Sequence, residues 1–110
     1  MKRLALLALL CVSHLAIADD AKFEGCKAKL KKAKELDLLY GLEWNLPSPP
    51  KVTVGKTFFS IPLDAKEGFA ETLNCFLTAG QDGSCVQFEM LHWQTGKPVA
   101  AYHNCRFKMY

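Results

Sequence analysis

The placement of cysteines constrains this chain more than any other feature. Residues 85–105, CVQFEMLHWQTGKPVAAYHNC, carry two runs rich in β-branched and aromatic residues around Thr95-Gly96-Lys97, with a cysteine at each end. That pattern predicts a β-hairpin stapled at its open end. Cys26 and Cys75 complete an even set, while the fifth cysteine, Cys11, lies in a separate N-terminal segment. Four cysteines allow three connectivities. Antiparallel neighbours at the mouth of a hairpin come within disulfide reach, which favours Cys85–Cys105 and leaves Cys26–Cys75 to tie two helices together. The rival joins Cys75 to Cys85 across a short loop and Cys26 to Cys105, and spacing alone leaves it open.

An even cysteine set suits an oxidising compartment, and the N-terminus points the same way. Met1-Lys2-Arg3 is a positive start, Leu4 to Leu15 is mostly apolar, and Ala16-Ile17-Ala18 is a small-residue cleavage site. This is the layout of a secretory signal peptide over residues 1–18. The apolar run is too short for a convincing membrane span, so none is expected after cleavage. Residues 19–110 would then form one small domain, periplasmic or secreted, with a bacterium as the leading source. Each bridge, at roughly 2–4 kcal/mol, would supply a large share of its stability. Removing Lys2 and Arg3 from the 14 basic residues leaves 12 against 11 acidic ones. A nearly neutral exported chain is a poor nucleic-acid binder, and none is expected as a partner.

Along the chain, Asp19 to Tyr40 predicts a helix, with Cys26, Leu30, Ala33 and Leu36 on one stripe and Gly41 as the stop. Its lysines (Lys27, Lys29, Lys31, Lys32, Lys34) read as a solvated face, with an anion-binding patch as the sharper alternative. Residues 42–50, LEWNLPSPP, read as a proline-rich connector. Lys51 to Val54 is a short strand signal, and Thr57 to Leu63 an irregular lead-in interrupted by Pro62. Asp64 and Glu67 have capping-box spacing ahead of a second helix through Phe69, Leu73, Phe76 and Leu77, with Gly80 available as its C-terminal cap. The hairpin follows, its second arm running from Val99 to about Phe107. The order helix-strand-helix-strand-strand predicts an α+β domain with helices on one face of a short sheet, ending in a C-terminal hairpin.

Little in the sequence carries chemistry. A cysteine nucleophile needs a free thiol, and each cysteine of the domain has a partner. A Cys85–His103–Cys105 metal set lacks zinc-site spacing, so no metal and no cofactor are expected. His92 and His103 belong to no recognisable catalytic motif. Glu43, Asp64, Glu67, Glu71 and Glu89 could form a carboxylate pair only through space. The best contact surface is the hairpin tip, where His92, Trp93 and Lys97 flank the turn. The alternative there is Trp93 folded back over the sheet.

V-x-V-G before the Phe58-Phe59 pair, Asp64-Ala65-Lys66 opening a helix and Thr95-Gly96-Lys97 turning a hairpin give residues 52–110 a further likeness. This half of the chain resembles small exported proteobacterial proteins of uncharacterised function. The resemblance implies a strand–helix–strand–strand order and a bacterial address, and it carries no activity. The function expected from the sequence is a non-enzymatic exported module that binds a protein or cell-envelope component through a sheet edge or the hairpin tip. The alternative is a small hydrolase-type envelope enzyme, marked by a cleft that gathers Glu or Asp with His92 or His103.

Overall fold

The computed structural model describes residues 20–110; the expected signal peptide lies outside them. Helix α1 covers residues 20–35 and buries Cys26, Leu30 and Ala33, three of the four residues of the predicted stripe; the fourth, Leu36, lies past the helix end and is exposed. It does not run on to Tyr40. Leu38 N donates to Ala33 O at 2.9 Å and Asp37 N to Lys34 O at 3.2 Å, with Asp37 at φ 60°. This is the paired hydrogen-bond closure of a Schellman motif, with an aspartate where glycine is usual. The chain then extends into β1 (Leu39–Glu43), so the first two residues of the expected connector are strand. Residues 44–50 form the loop proper and include a cis Leu46–Pro47 bond.

Strand β2 (Lys51–Val54) falls where the sequence places it. A 3-10 turn over Lys56–Ser60 follows, then helix α2 (Leu63–Leu77). The expected capping box does not form. Pro62 is the N-cap residue and Asp64 already lies in the first turn, where its carboxylate accepts from Ala65 N at 3.0 Å. Helix α2 also ends in a Schellman closure. Gly80 N donates to Cys75 O at 2.8 Å and Ala79 N to Phe76 O at 3.1 Å, with Ala79 at φ 55°. Gly80 therefore donates to the closure, while Ala79 carries the left-handed turn.

Three strands complete the domain: β3 (Phe88–His92), β4 (Pro98–His103) and β5 (Arg106–Met109). The predicted second hairpin arm is two strands, because Asn104 and Cys105, at φ 51° and 61°, fold the chain back on itself. The sheet has the order β1-β2-β3-β4-β5. It is antiparallel except for β2–β3, which are parallel and joined across α2. The observed order is thus helix-strand-strand-helix-strand-strand-strand, an α+β domain with two strands more than expected.

One pleat face of the sheet supplies Val52, Val54, Phe88, Met90, Ala100 and Tyr102 to a core shared with Leu30 and Ala33 of α1 and Phe69, Ala70, Leu73 and Leu77 of α2. Both helices therefore cover the same face, as the apolar alternation of the strands requires. Cys26–Cys75 ties α1 to α2 with Cα atoms 6.1 Å apart, beside the stacked rings of Phe23 and Phe76. Cys85–Cys105 has its Cα atoms 5.4 Å apart. The ladder ends outward at the Phe88–Tyr102 pair, and the bridge joins the lead-in to β3 to the β4–β5 turn at this end of the hairpin. Asn74 of α2 fixes the lead-in to β3, donating to Ser84 O at 3.0 Å and accepting from Val86 N at 2.7 Å.

Candidate functional site

The second face of the sheet carries neither helix. Across the five strands one row reads Glu43, Lys51, Glu89, Ala101, Lys108, each residue paired with the next. Opposite charges face one another across β1–β2 (Glu43–Lys51) and β2–β3 (Lys51–Glu89), each such pair worth roughly 0.2–1 kcal/mol; Ala101 interrupts the row before Lys108. His103 and Arg106 form the next outward pair, beside the β4–β5 turn. Pro49 and Pro50, which lead into β2, and β5 with Tyr110 both line this surface. Between them lies a concavity of about 950 Å³, with Leu91 and Ala101 on its floor and Lys51, Glu89, His103, Arg106 and Lys108 around it.

Glu89 is held in place. The Tyr110 hydroxyl donates to its Oε2 at 2.8 Å, and Tyr110 N extends the ladder by donating to Val99 O at 3.1 Å. That hydroxyl's pKa is raised, first by the hydrogen bond to Glu89, then by burial and the carboxylate's charge. Glu89 keeps its negative charge beside Lys51, so the net charge of the concavity is positive through Arg106 and Lys108. A surface of this kind attracts acidic groups.

The hairpin tip is built differently. His92 N donates to Lys97 O at 2.9 Å and Gly96 N to His92 O at 2.8 Å, with Gly96 at φ 71°, a conformation glycine adopts without steric cost. The rings of His92 and Trp93 stack with centroids 4.2 Å apart. Phe59 from the 3-10 turn packs against both, at 5.1 and 5.8 Å, and meets the fully buried Phe58 edge-on. His92 Nδ1 accepts from Gln94 N at 3.0 Å, which leaves Nε2 as the donor nitrogen of the neutral ring. Much of the Trp93 face is thus taken up by internal stacking; Lys97 is exposed. His92 and Trp93 are brought together, and neither they nor Lys97 line the concavity.

Of the five carboxylates weighed from the sequence, Glu89 alone lines the concavity, and it does so with His103. The two are diagonal neighbours on β3 and β4. Asp64, Glu67 and Glu71 belong to α2, where the charges of Glu71 and Glu67 add to burial in raising the Tyr102 pKa. Among the described residues no three His, Cys, Asp or Glu side chains gather closely enough to hold a metal ion. Sequence reasoning passed over Arg106, Lys108 and Tyr110. The available signal was the alternation Arg106-Phe107-Lys108-Met109-Tyr110, which is that of a half-buried strand. No protein-family model matches the chain, and no curated protein or solved structure is similar to it.

Proposed function

We propose that this is an exported, non-enzymatic binding module whose open sheet face receives a protein or cell-envelope component presenting acidic groups. The observation that supports this is the concavity itself: an apolar floor ringed by Lys51, His103, Arg106 and Lys108, with Glu89 turned to Tyr110. Secretion to the periplasm or medium fits a small domain held by two disulfides, and the likeness of residues 52–110 to exported proteobacterial proteins belongs to the same reading. The hairpin tip serves chiefly to brace the 3-10 turn, and the strands beside it present the face.

The test is affinity capture from envelope extract by the oxidised domain. An Arg106→Glu/Lys108→Glu variant should lose the retained component, whereas Lys97→Glu at the tip should keep it. Retention no better than that of a reduced, unfolded control overturns the reading, as does loss on Lys97→Glu alone.

A second reading rests on Glu89 and His103 sharing the concavity, the juxtaposition expected of a small hydrolase-type enzyme. Glu89 would then act as an acid or base, with the Tyr110 hydroxyl hydrogen-bonded to its carboxylate. It requires turnover of an envelope substrate that Glu89→Gln and His103→Ala each abolish with the fold intact. Turnover that survives both substitutions rejects it.

A further inference from the structure

We propose that the opposite side of the domain, formed by α1 and the edge strand β1, docks on a bilayer surface bearing anionic phospholipid. This surface is separate from the concavity, and the proposal does not depend on it.

Charge supplies the first argument. Lys22, Lys27, Lys29, Lys31, Lys32 and Lys34 are half of the domain's 12 basic residues, and they share α1 with only Asp20, Glu24 and Glu35. Lys22 is paired with Asp82. Lys27, Lys31 and Lys34, with Glu24 as the one acidic residue, line a groove of about 620 Å³ together with Leu30, Leu39, Leu42 and Phe76. Helix α2 carries Asp64, Glu67 and Glu71 against Lys66, so the two helices of one nearly neutral domain are oppositely charged.

Apolar exposure supplies the second. Leu36, Tyr40, Trp44 and Leu46 are 55, 58, 41 and 80% exposed, and all four lie in the short run from the end of α1 through β1 into the following loop. A tyrosine and a tryptophan beside leucines and a lysine row is the composition that sits at a membrane–water interface, with rings at headgroup depth and ammonium groups on phosphates. An enclosed small-molecule site would gather these side chains inside the groove, yet they are strung along the edge beyond it. A second copy of the chain would set one lysine row against another, which charge repulsion opposes. Among the described residues no helix is long and apolar enough to cross a membrane.

The experiment is vesicle flotation of the oxidised domain with phosphatidylcholine alone and with added phosphatidylglycerol, at rising salt. The expected result is association with the anionic vesicles only, weakening as salt rises. Lys27→Gln/Lys31→Gln/Lys34→Gln should weaken it on the order of 100-fold, at about 1 kcal/mol per lysine near the surface. Trp44→Ala should weaken it independently, and Arg106→Gln/Lys108→Gln should weaken it far less than the α1 triple substitution, which separates this surface from the sheet face. Circular dichroism confirms that each variant is folded. Absence of association, equal association with both vesicle types, or indifference to the triple substitution overturns the proposal. So does lysine-dependent binding of soluble polyglutamate without vesicle binding, which would make an acidic protein the partner.

Discussion

Replacing Gly55 with alanine tests the join between the two halves of the fold. A Cβ at position 55 would overlap the Asp37 carbonyl oxygen and stand 2.7 Å from Asp37 Oδ1 and 2.8 Å from the Asp37 carbonyl carbon. The backbone there has little freedom to retreat. Asp37 O accepts from Thr57 N at 3.0 Å, Leu38 O accepts from Gly55 N at 2.9 Å, and Leu39 is paired with Val54 in the sheet. Overpacking of a well-fitted site costs about 1–3 kcal/mol. Loss or distortion of the two hydrogen bonds adds about 1 kcal/mol each, for a total of roughly 3–5 kcal/mol. In a domain of this size that is a fall in Tm of more than about 10 °C. Gly25→Ala is the control, because nothing lies within 4 Å of its added methyl and alanine in α1 should stabilise by up to about 1 kcal/mol. Urea denaturation of both variants decides the matter. A loss below about 1 kcal/mol for Gly55→Ala would refute the close approach of Asp37 to β2.

Three further outcomes follow from the geometry. Asn74→Ala removes a donor and an acceptor that hold the chain at Ser84 and Val86, so it should destabilise by about 1–3 kcal/mol and speed amide exchange at Val86; an unchanged denaturation midpoint would show that the disulfide alone positions this segment. Ala79→Gly relieves a left-handed alanine at the end of α2 and should raise stability by up to about 1 kcal/mol, measured by the same denaturation; a loss would contradict the helix closure. Tyr102 has its pKa raised by burial, then by the charges of Glu71 and Glu67, so its contribution is complete below the ordinary tyrosine value near 10. That contribution is lost as pH climbs through the higher folded value, and Tyr102→Phe should therefore lose less stability than the parent above about pH 10; parallel stability–pH curves would contradict this.

Strong periodicity made several elements legible in the sequence. The Lys51–Val54 strand, the apolar stripe of α2, the alternation of β3 and the placement of both helices on one face all followed from it. What the sequence hid lies at the ends of elements. Asp37 and Ala79 terminate helices in a conformation for which glycine is the usual signal, so α1 read as running to Tyr40 and β1 was split between that helix, its Gly41 stop and the connector. Asn104 and Cys105 turn the chain without glycine or proline, and β5 was therefore read as the tail of β4. The same hidden turn bears on the candidate site. Without β5, Arg106 and Lys108 had no strand to present them, and Trp93 drew attention to a tip whose rings pack largely on one another and on Phe59.

The central claim, that the open sheet face is the contact surface, is tested most directly by residue-resolved NMR during titration with polyglutamate. Shift changes should include Lys51, Ala101, His103, Arg106 and Lys108, separately from any along the lysine row of α1, with residues 92–97 unmoved. Changes centred on His92, Trp93 and Lys97, or none beyond those of a neutral polymer, would contradict it.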